Sequence, residues 1–162
     1  MFEQPRMTLP YKLLHLSDLH IGRSAADESH ARAFVHRVLS EQVDHVVVTG
    51  DVTNRGKREE LALFRGIFAP LTRDHRVTLV PGNHDRLGHD VAADIRNGAR
   101  VQTAVAAGLF MVRFDSTGPH NRSWLSGHGA MSLTDIEDIV AAVERAPPEH
   151  TVALLLHHHP LL

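Results

Sequence analysis

The feature that most constrains this chain is a set of potential metal-binding side chains, each placed directly after a short apolar run. Apolar or β-branched runs bounded by glycine, proline or polar residues are typical of strands. Four such runs are followed within three residues by acidic, amide or imidazole residues: Asp18 and His20 after residues 11–16, Asp51 after residues 46–49, Asn83, His84 and Asp85 after residues 77–80, and His157, His158 and His159 after residues 151–156. The chain must therefore fold so that it accommodates four polar clusters at four strand ends.

Helical patterns separate these strands along the chain. Apolar residues recur at helical spacing over residues 34–43, 61–71 and 133–143, with Ser29 as a candidate N-cap for the first helix and Pro70 near the end of the second. The Ala-rich residues 87–107 are predicted to be helical in part, and residues 109–114 to form a further strand. Strands that alternate with helices pair in parallel through crossovers, which predicts the α/β class.

The four polar clusters are expected to meet at one edge of the sheet, because the carboxyl ends of parallel strands line the ligand crevice of open α/β folds. Carboxylates packed that closely repel one another unless cations lie between them. The chain has no cysteine, so its donors are oxygen and nitrogen, a set that suits Mn, Fe, Zn or Co better than a closed structural zinc site. The sequence therefore predicts divalent metal ions at this edge.

Individual roles follow from residue type and spacing. Asp18 and His20 are two residues apart, so both would face one side of an extended segment and share a metal ion. Asp51 follows a glycine, where the chain can turn sharply and a carboxylate can bridge two metal ions. Asn83 offers a neutral carbonyl oxygen to the second ion, and the adjacent His84 is left free for proton transfer.

Structural roles compete with these functional ones. Asp18 and His20 could form side-chain to backbone bonds in a turn, and Asp51 could be an ordinary turn residue. Asp85 either orients His84 or caps the next helix. If all of these residues had only structural roles, their occurrence at four separate strand ends would be a coincidence at each. Their convergence therefore favours a functional site.

Other polar residues are expected to have ordinary surface roles. Arg23 and Arg55 lie in loops beside the site, and a solvated role is favoured over contact with a phosphate. Surface histidines are common, and only convergence with other ligands makes a site. Nine histidines are therefore expected on solvated faces or loops: His15, His30, His36, His45, His75, His89, His120, His128 and His150.

The motifs, taken in order, resemble those of the calcineurin-like metallophosphoesterase family. The shared blocks are Asp18-x-His20, Gly50-Asp51, Gly82-Asn83-His84-Asp85 and a strand-terminal histidine before Pro160. Residues 48–56, followed by two glutamates and an aromatic helix, are similar to the class III cyclic-nucleotide phosphodiesterase branch. After Asp51 the chain resembles the DNA-repair nuclease branch less. The resemblance extends over residues 11–162.

The resemblance implies a fold, a site and a reaction. The fold is the α/β/β/α sandwich of mixed sheets with flanking helices. The reaction is hydrolysis of a small phosphoester by a hydroxide that two divalent metal ions activate. The implied substrate is a phosphodiester, and the branch that the chain resembles acts on cyclic nucleotides. The implied site residues are Asp18, His20 and Asp51 for the first metal ion, Asp51, Asn83 and His158 for the second, with His157 as the alternative to His158, and His84 as the catalytic histidine.

One family block is not found where the order of motifs would place it. The family supplies a Gly-His-x-His block after a further strand, which would lie beyond Leu162, and Gly127-His128-Gly129 precedes the fourth motif and lacks the second histidine. We therefore expect residues 1–162 to form a single phosphoesterase domain that is incomplete at its C-terminus, with three protein ligands for each ion. The alternative function is that of a catalytically inactive metal-binding fragment or scaffold.

Composition excludes several other classes. The chain has 17 basic and 19 acidic residues, a net charge of −2, which argues against nucleic acid as a partner held by bulk charge. No apolar run approaches the roughly 18 residues of a membrane span, and residues 1–6 do not resemble a secretory signal, so no membrane partner is expected and the cytoplasm is the default location. Neither G-x-G-x-x-G nor a P-loop motif occurs, which opposes a Rossmann or P-loop nucleotide-binding module.

Overall fold

Two three-stranded sheets organise the chain in the computed structural model, which describes residues 11–159. Pro160 of the fourth motif and the amino-terminal residues 1–6 lie outside the described residues. The first sheet is parallel throughout and has the order β1 (Leu13–Leu16), β2 (His45–Thr49), β3 (Val77–Val80). The second has the order β4 (Val101–Ala106), β5 (Leu109–Phe114), β6 (Thr151–Leu155), with β4–β5 antiparallel and β5–β6 parallel.

Among the described residues, four α-helices connect the strands: α1 (Ala25–Ser40), α2 (Arg58–Thr72), α3 (Ala92–Arg96) and α4 (Leu133–Glu144). Two sheets with flanking helices confirm the predicted α/β class and the sandwich fold. Helix α1 begins earlier than predicted, because Ser24 rather than Ser29 is its N-cap and its Oγ accepts a hydrogen bond from the Asp27 backbone N at 3.2 Å. No helix within residues 11–159 combines the length and apolar character that a membrane span requires.

The Ala-rich residues 87–107 are helical only within α3, and strand β4 occupies a segment that the sequence pattern did not indicate as a strand. Asn97, left-handed at φ 52°, ends α3. Residues Ala107 and Gly108 both have positive φ and form a two-residue hairpin turn that pairs β4 with β5. Cross-strand pairing therefore overrides the helix propensity of alanine in this segment.

The main core lies between the first sheet and its two long helices. All five residues of β2 are buried, and Val46 and Val48 pack in one cluster with Phe64 and Phe68 of α2. The rings of Phe64 and Phe68 stack with centroids 4.4 Å apart. Arg113 of β5 links the two sheets, because its Nε donates to the backbone O of Leu79 at 2.8 Å. The central strand β2 is thus a firmly packed base for the loop that follows it.

Candidate metal centre

The loops that follow β1 and β2 run side by side and are joined by backbone hydrogen bonds. The backbone N of Asp18 donates to Gly50 O at 3.2 Å, and the backbone N of His20 donates to Asp51 O at 2.9 Å. These bonds place the first motif directly beside the carboxylate of the second. The parallel pairing of β1 with β2 continues into the loops, and this continuation brings the two motifs together.

Three of the candidate ligands have a left-handed backbone. Asp18, His20 and Asp51 have φ values of 58°, 45° and 49°. Such conformations are uncommon for residues other than glycine, cost of order 1–3 kcal/mol each, and tend to cluster at functional sites. The spacing suggested that Asp18 and His20 face one side of an extended segment. The structure differs, because neither residue has an extended backbone. Two left-handed residues separated by Leu19 bring their side chains to the same place instead.

Imidazole nitrogens and carboxylate oxygens face one another across short distances. His20 Nε2 lies 3.8 Å from Asp51 Oδ2 and 3.9 Å from Asp18 Oδ1. His84 Nε2 lies 4.0 Å from Asp51 Oδ2, and His157 Nε2 lies 3.5 Å from Asp51 Oδ1. All four distances exceed a hydrogen bond. The atoms form two groups that share Asp51, the first with His20 and His84 and the second with Asp18 and His157, and within each group the potential ligand atoms lie within 4.8 Å of one another.

His157 lies in this cluster, whereas His158, the histidine assigned from the motif, does not. His157 Nδ1 donates to Thr49 O at 2.9 Å, and its Nε2 is 3.2 Å from Asn83 Oδ1. His158 Nδ1 is 2.8 Å from Ser116 Oγ, on the other side of the segment. Burial lowers the pKa of His158 to about 4. The structure therefore brings His157, the alternative, to the candidate ligands and directs His158 elsewhere, because successive residues after β6 point in different directions.

Two glycines leave the space that the ligands need. Gly50 has φ +87°, and a Cβ at this position would overlap the ring of His157. A Cβ on Gly82 would overlap the carboxylate and the backbone N of Asp51. The Gly-Asp and Gly-Asn-His-Asp blocks therefore both need glycine for close approach, and Gly50 is also needed for its left-handed backbone.

Asp85 joins the loops that follow β2 and β3. Its fully buried carboxylate accepts hydrogen bonds from Val52 N at 3.2 Å, Thr53 N at 2.8 Å, Thr53 Oγ1 at 2.7 Å and Gly82 N at 2.9 Å. Burial raises the pKa of Asp85 to about 6, although these hydrogen bonds from Gly82 and Thr53 lower it. The sequence left two roles open for Asp85, which were to orient His84 or to cap the next helix. The hydrogen bonds of its carboxylate correspond to neither role. Asp85 positions the loop that carries Asp51.

His84 is oriented by two contacts with the loop after β2. Its backbone N donates to Asp51 Oδ1 at 2.8 Å, and its Nδ1 lies 2.8 Å from Asn54 O. A carbonyl oxygen can only accept, so Nδ1 carries the hydrogen. The other nitrogen, Nε2, therefore faces the shared carboxylate of Asp51 and remains available for proton transfer.

The donor set fits divalent cations. The Asp51 side chain is only 5% exposed, and among residues 11–159 its ion-pairing neighbours are His20, His84 and His157, with no lysine or arginine. Burial lowers the pKa of His20, which favours the neutral imidazole that a metal ion needs, although the carboxylate of Asp51 raises it. A buried carboxylate without a compensating cation is costly, and a bound metal ion would supply the missing positive charge.

The hydrogen bond of His157 is also typical of a metal ligand. Histidines that bind metals usually donate their other ring N–H to a carbonyl or carboxylate, which fixes the ring and exposes the coordinating nitrogen. His157 does so through Thr49 O, and its Nε2 faces Asp51 and Asn83. Asn83 thereby lies beside the second group of potential ligands, as its position in the sequence suggested.

The structure also places the residues that were expected on the surface. Arg23 pairs with Asp27 at 2.8 Å at the start of α1 and is solvated, as expected. His45 differs from the expectation, because it is 4% exposed and its Nε2 lies 2.8 Å from Thr78 Oγ1. Sequence reasoning missed Trp124, whose indole packs against His84 with ring centroids 5.1 Å apart. A single tryptophan in a turn-rich segment was the signal available.

Comparisons with known proteins give a consistent family. A family model described as calcineurin-like phosphoesterase matches residues 11–162. A probable cyclic nucleotide phosphodiesterase of Pseudoalteromonas sp. strain SM9913 is 24% identical over 99% of this chain. The chain spans 59% of the length of that curated relative. The crystal structure of a dimetal phosphatase from Danio rerio matches 80% of this chain and 50% of its own, with a TM-score of 0.47 and 15% identity, a likeness too low to support any conclusion here.

Proposed function

Because the chain belongs to the calcineurin-like phosphoesterase family, we propose that it hydrolyses phosphoric esters with the help of two divalent metal ions. The observation that carries the proposal is the pair of ligand groups that share the buried carboxylate of Asp51. The finer part of the proposal is that the ester is a phosphodiester, with cyclic nucleotides as the first class to test. The printed name of the curated relative supports that choice.

The described residues divide naturally between two ions. Following the family resemblance, Asp18, His20 and Asp51 would hold one ion, since His20 Nε2 lies 3.9 and 3.8 Å from the two carboxylates. Asp51, Asn83 and His157 would hold the other, since His157 Nε2 lies near both Asp51 and Asn83. When bound, the ions would stabilise charge on the phosphoryl oxygens and lower the pKa of a water molecule. The oxygen and nitrogen donors suit Mn, Fe, Zn or Co.

His84 is the proposed general acid. Its Nδ1–H is engaged by Asn54 O, so only Nε2 can exchange a proton with a substrate. As an imidazolium it would donate the Nε2 proton to the leaving oxygen as the phosphorus–oxygen bond breaks, while water supplies the new oxygen on phosphorus. The hydrogen bond from the backbone N of His84 to Asp51 Oδ1 holds this acid beside the shared carboxylate.

The test combines metal stoichiometry with turnover. Native mass spectrometry of the chain with added Mn²⁺ should show two bound ions, and the same sample should hydrolyse bis(4-nitrophenyl) phosphate. Asp51→Asn should lower both readouts, with turnover falling by orders of magnitude. Asp138→Asn makes the same chemical change on the exposed face of α4 and should leave both readouts unchanged.

Two results would contradict the proposal. If Asp51→Asn turned over substrate at the wild-type rate, Asp51 would have no role in the reaction. Two bound ions without hydrolysis of any phosphoester would support the alternative of an inactive metal-binding fragment. The single-domain organisation and the cytoplasmic location stay predictions, which a single cooperative unfolding transition and cell fractionation would check.

A further inference from the structure

An exposed aromatic side chain stands beside the candidate general acid. Trp124 is the only tryptophan of the chain and is 59% exposed, and the neighbouring Leu125 is 97% exposed. The indole meets the His84 ring edge to face, with centroids 5.1 Å apart. The guanidinium of Arg55 lies over the indole, with Cζ 5.5 Å from the ring centroid. An aromatic group thus adjoins His84, and a cationic group lies over that aromatic ring.

The loop that carries Trp124 is held in shape from inside. The fully buried Asn121 accepts a hydrogen bond from Gly118 N at 2.7 Å and donates through Nδ2 to Ser126 O at 2.8 Å and His128 O at 2.9 Å. These three bonds join both ends of residues 118–128. Trp124 therefore projects from the tip of a braced loop.

The same loop is tied to the segment that contains His84. Arg122 Nη2 lies 2.7 Å from Asp90 Oδ2, and Arg86 Nε lies 3.4 Å from Asp90 Oδ1. Asp90 thus connects the residue that precedes the loop tip with the short 3-10 helix His84–Arg86. The position of the indole relative to His84 is consequently set by ion pairs as well as by ring contact.

Arg55 is also presented from a fixed backbone. Its backbone N donates to Glu60 Oε2 at 2.8 Å, and Lys57 N donates to the same oxygen at 3.2 Å. Gly56, at φ +61°, packs so closely on Leu87 that a Cβ would overlap its backbone. The turn before α2 therefore orients the Arg55 side chain towards the indole.

Trp124 and Arg55 together present an exposed aromatic face and a planar cation beside His84. An indole face and a guanidinium plane both bind planar aromatic groups, by stacking and by cation–π contact, with little dependence on which base is presented. We propose that Trp124 and Arg55 form a subsite for a planar aromatic group, such as a nucleobase, attached to the phosphoester that reacts at the metal centre. The inference rests on the proposed function and specifies the substrate class.

The single tryptophan provides a readout that does not depend on turnover. Adenosine 5′-monophosphate should quench the fluorescence of Trp124 saturably in the presence of Mn²⁺. Ribose 5-phosphate carries the same phosphate without the base and should produce no saturable quenching. Equal quenching by the two compounds, or none by either, would overturn the subsite.

Arg55→Met tests the guanidinium while keeping a side chain of similar length. It should weaken the binding of adenosine 5′-monophosphate several-fold in the fluorescence titration and leave the metal stoichiometry unchanged. Arg65→Met makes the same change on the exposed face of α2, away from the indole, and should bind the nucleotide as the wild type does. An unchanged affinity in Arg55→Met would remove Arg55 from the subsite.

Activity separates the subsite from the reaction itself. Trp124→Ala should lower kcat/KM for 3′,5′-cyclic AMP by about 10- to 100-fold, mainly through KM, and Trp124→Phe should restore most of the loss. The cyclic phosphate of 1,3-propanediol has no base, so Trp124→Ala should lower its kcat/KM much less than that for 3′,5′-cyclic AMP, through the contact with His84 alone. Equal losses on both substrates would contradict a role in recognising the base.

Failure of the two proposals would look different. If the proposed function is wrong, no variant hydrolyses either diester, and the fluorescence titration still decides whether the base is bound. If only the subsite is wrong, the wild type hydrolyses phosphodiesters, and Trp124→Ala changes kcat/KM equally for substrates with and without a base.

Discussion

The two sheets differ in how completely their outer faces are covered. The core cluster of the first sheet contains fifteen buried apolar residues, whereas the corresponding cluster of the second contains three. On the second sheet's side, Leu133 of α4 is 79% exposed, Val140 is 50% exposed and Leu154 of β6 is 41% exposed. All candidate ligands except His157 follow strands of the first sheet. The better packed sheet thus supports most of the metal centre.

This difference shows what the centre requires from the fold. Left-handed residues at Asp18, His20 and Asp51 are costly, and only a rigid base can maintain such conformations. The second sheet needs to supply one imidazole, and the bond from His157 Nδ1 to Thr49 O fixes that ring against the first sheet.

Phe68→Ala should lower the free energy of unfolding by about 3–5 kcal/mol, because the fully buried ring leaves a cavity between α2 and the first sheet. Leu133→Ala, on the second sheet's side, should change it by less than about 0.5 kcal/mol. Chemical denaturation of the two variants measures both values. Similar losses would show that the second layer is as well packed as the first.

Asp85→Asn should lower the free energy of unfolding by about 1–3 kcal/mol, because an amide NH2 would face backbone N–H donors of Val52, Thr53 or Gly82. Asp94→Asn, at an exposed position of α3, is the matched control. Thermal or chemical unfolding of both variants gives the comparison. Wild-type stability in Asp85→Asn would mean that the loops after β2 and β3 hold together without this carboxylate.

His157→Gln should weaken metal binding by at least about 10-fold, because it removes the imidazole that the second sheet contributes. His158→Gln should leave the stoichiometry of the folded protein unchanged, since His158 pairs with Ser116 instead. Calorimetric titration with Mn²⁺ measures both affinities. The reverse pattern would restore the original assignment to His158.

Acidification should lower stability through His45, a buried residue of the first sheet. Burial lowers the pKa of His45, and the positive charge of Arg76 lowers it further. As the pH falls, the His45 side chain therefore binds a proton in the unfolded state before it does so in the folded state. Its contribution to the free energy of unfolding is fully present above the ordinary pKa of 6.5 and decreases as the pH falls below that value. His45→Gln should reduce the slope of unfolding free energy against pH, and the exposed His36→Gln should not. Equal slopes in all three proteins would contradict a buried, neutral His45.

Much of the fold could be predicted from local pattern. The β-branched run of β2 and the helical periodicity of α2 indicated their elements, because β2 is buried along its whole length and the buried residues of α2 recur at helical spacing. Strand β4 was missed, since alanines favour a helix locally and only pairing with β5 makes the segment a strand. Arg55 and Trp124 were not connected, because they lie far apart in the chain and meet only through tertiary structure.

Residue chemistry and order alone indicated that Asp18, His20, Asp51 and Asn83 belong to one metal-binding edge, since donors placed directly after parallel strands must meet at that edge. Which imidazole joins them was decided by tertiary structure. His157 and His158 are the same residue type and are adjacent in sequence. Only His157 is directed towards Asp51, because β6 pairs with β5 and because its ring bonds to Thr49, 108 residues away. Side-chain direction at a strand end depends on register and sheet docking, which are long-range properties that a local pattern does not contain.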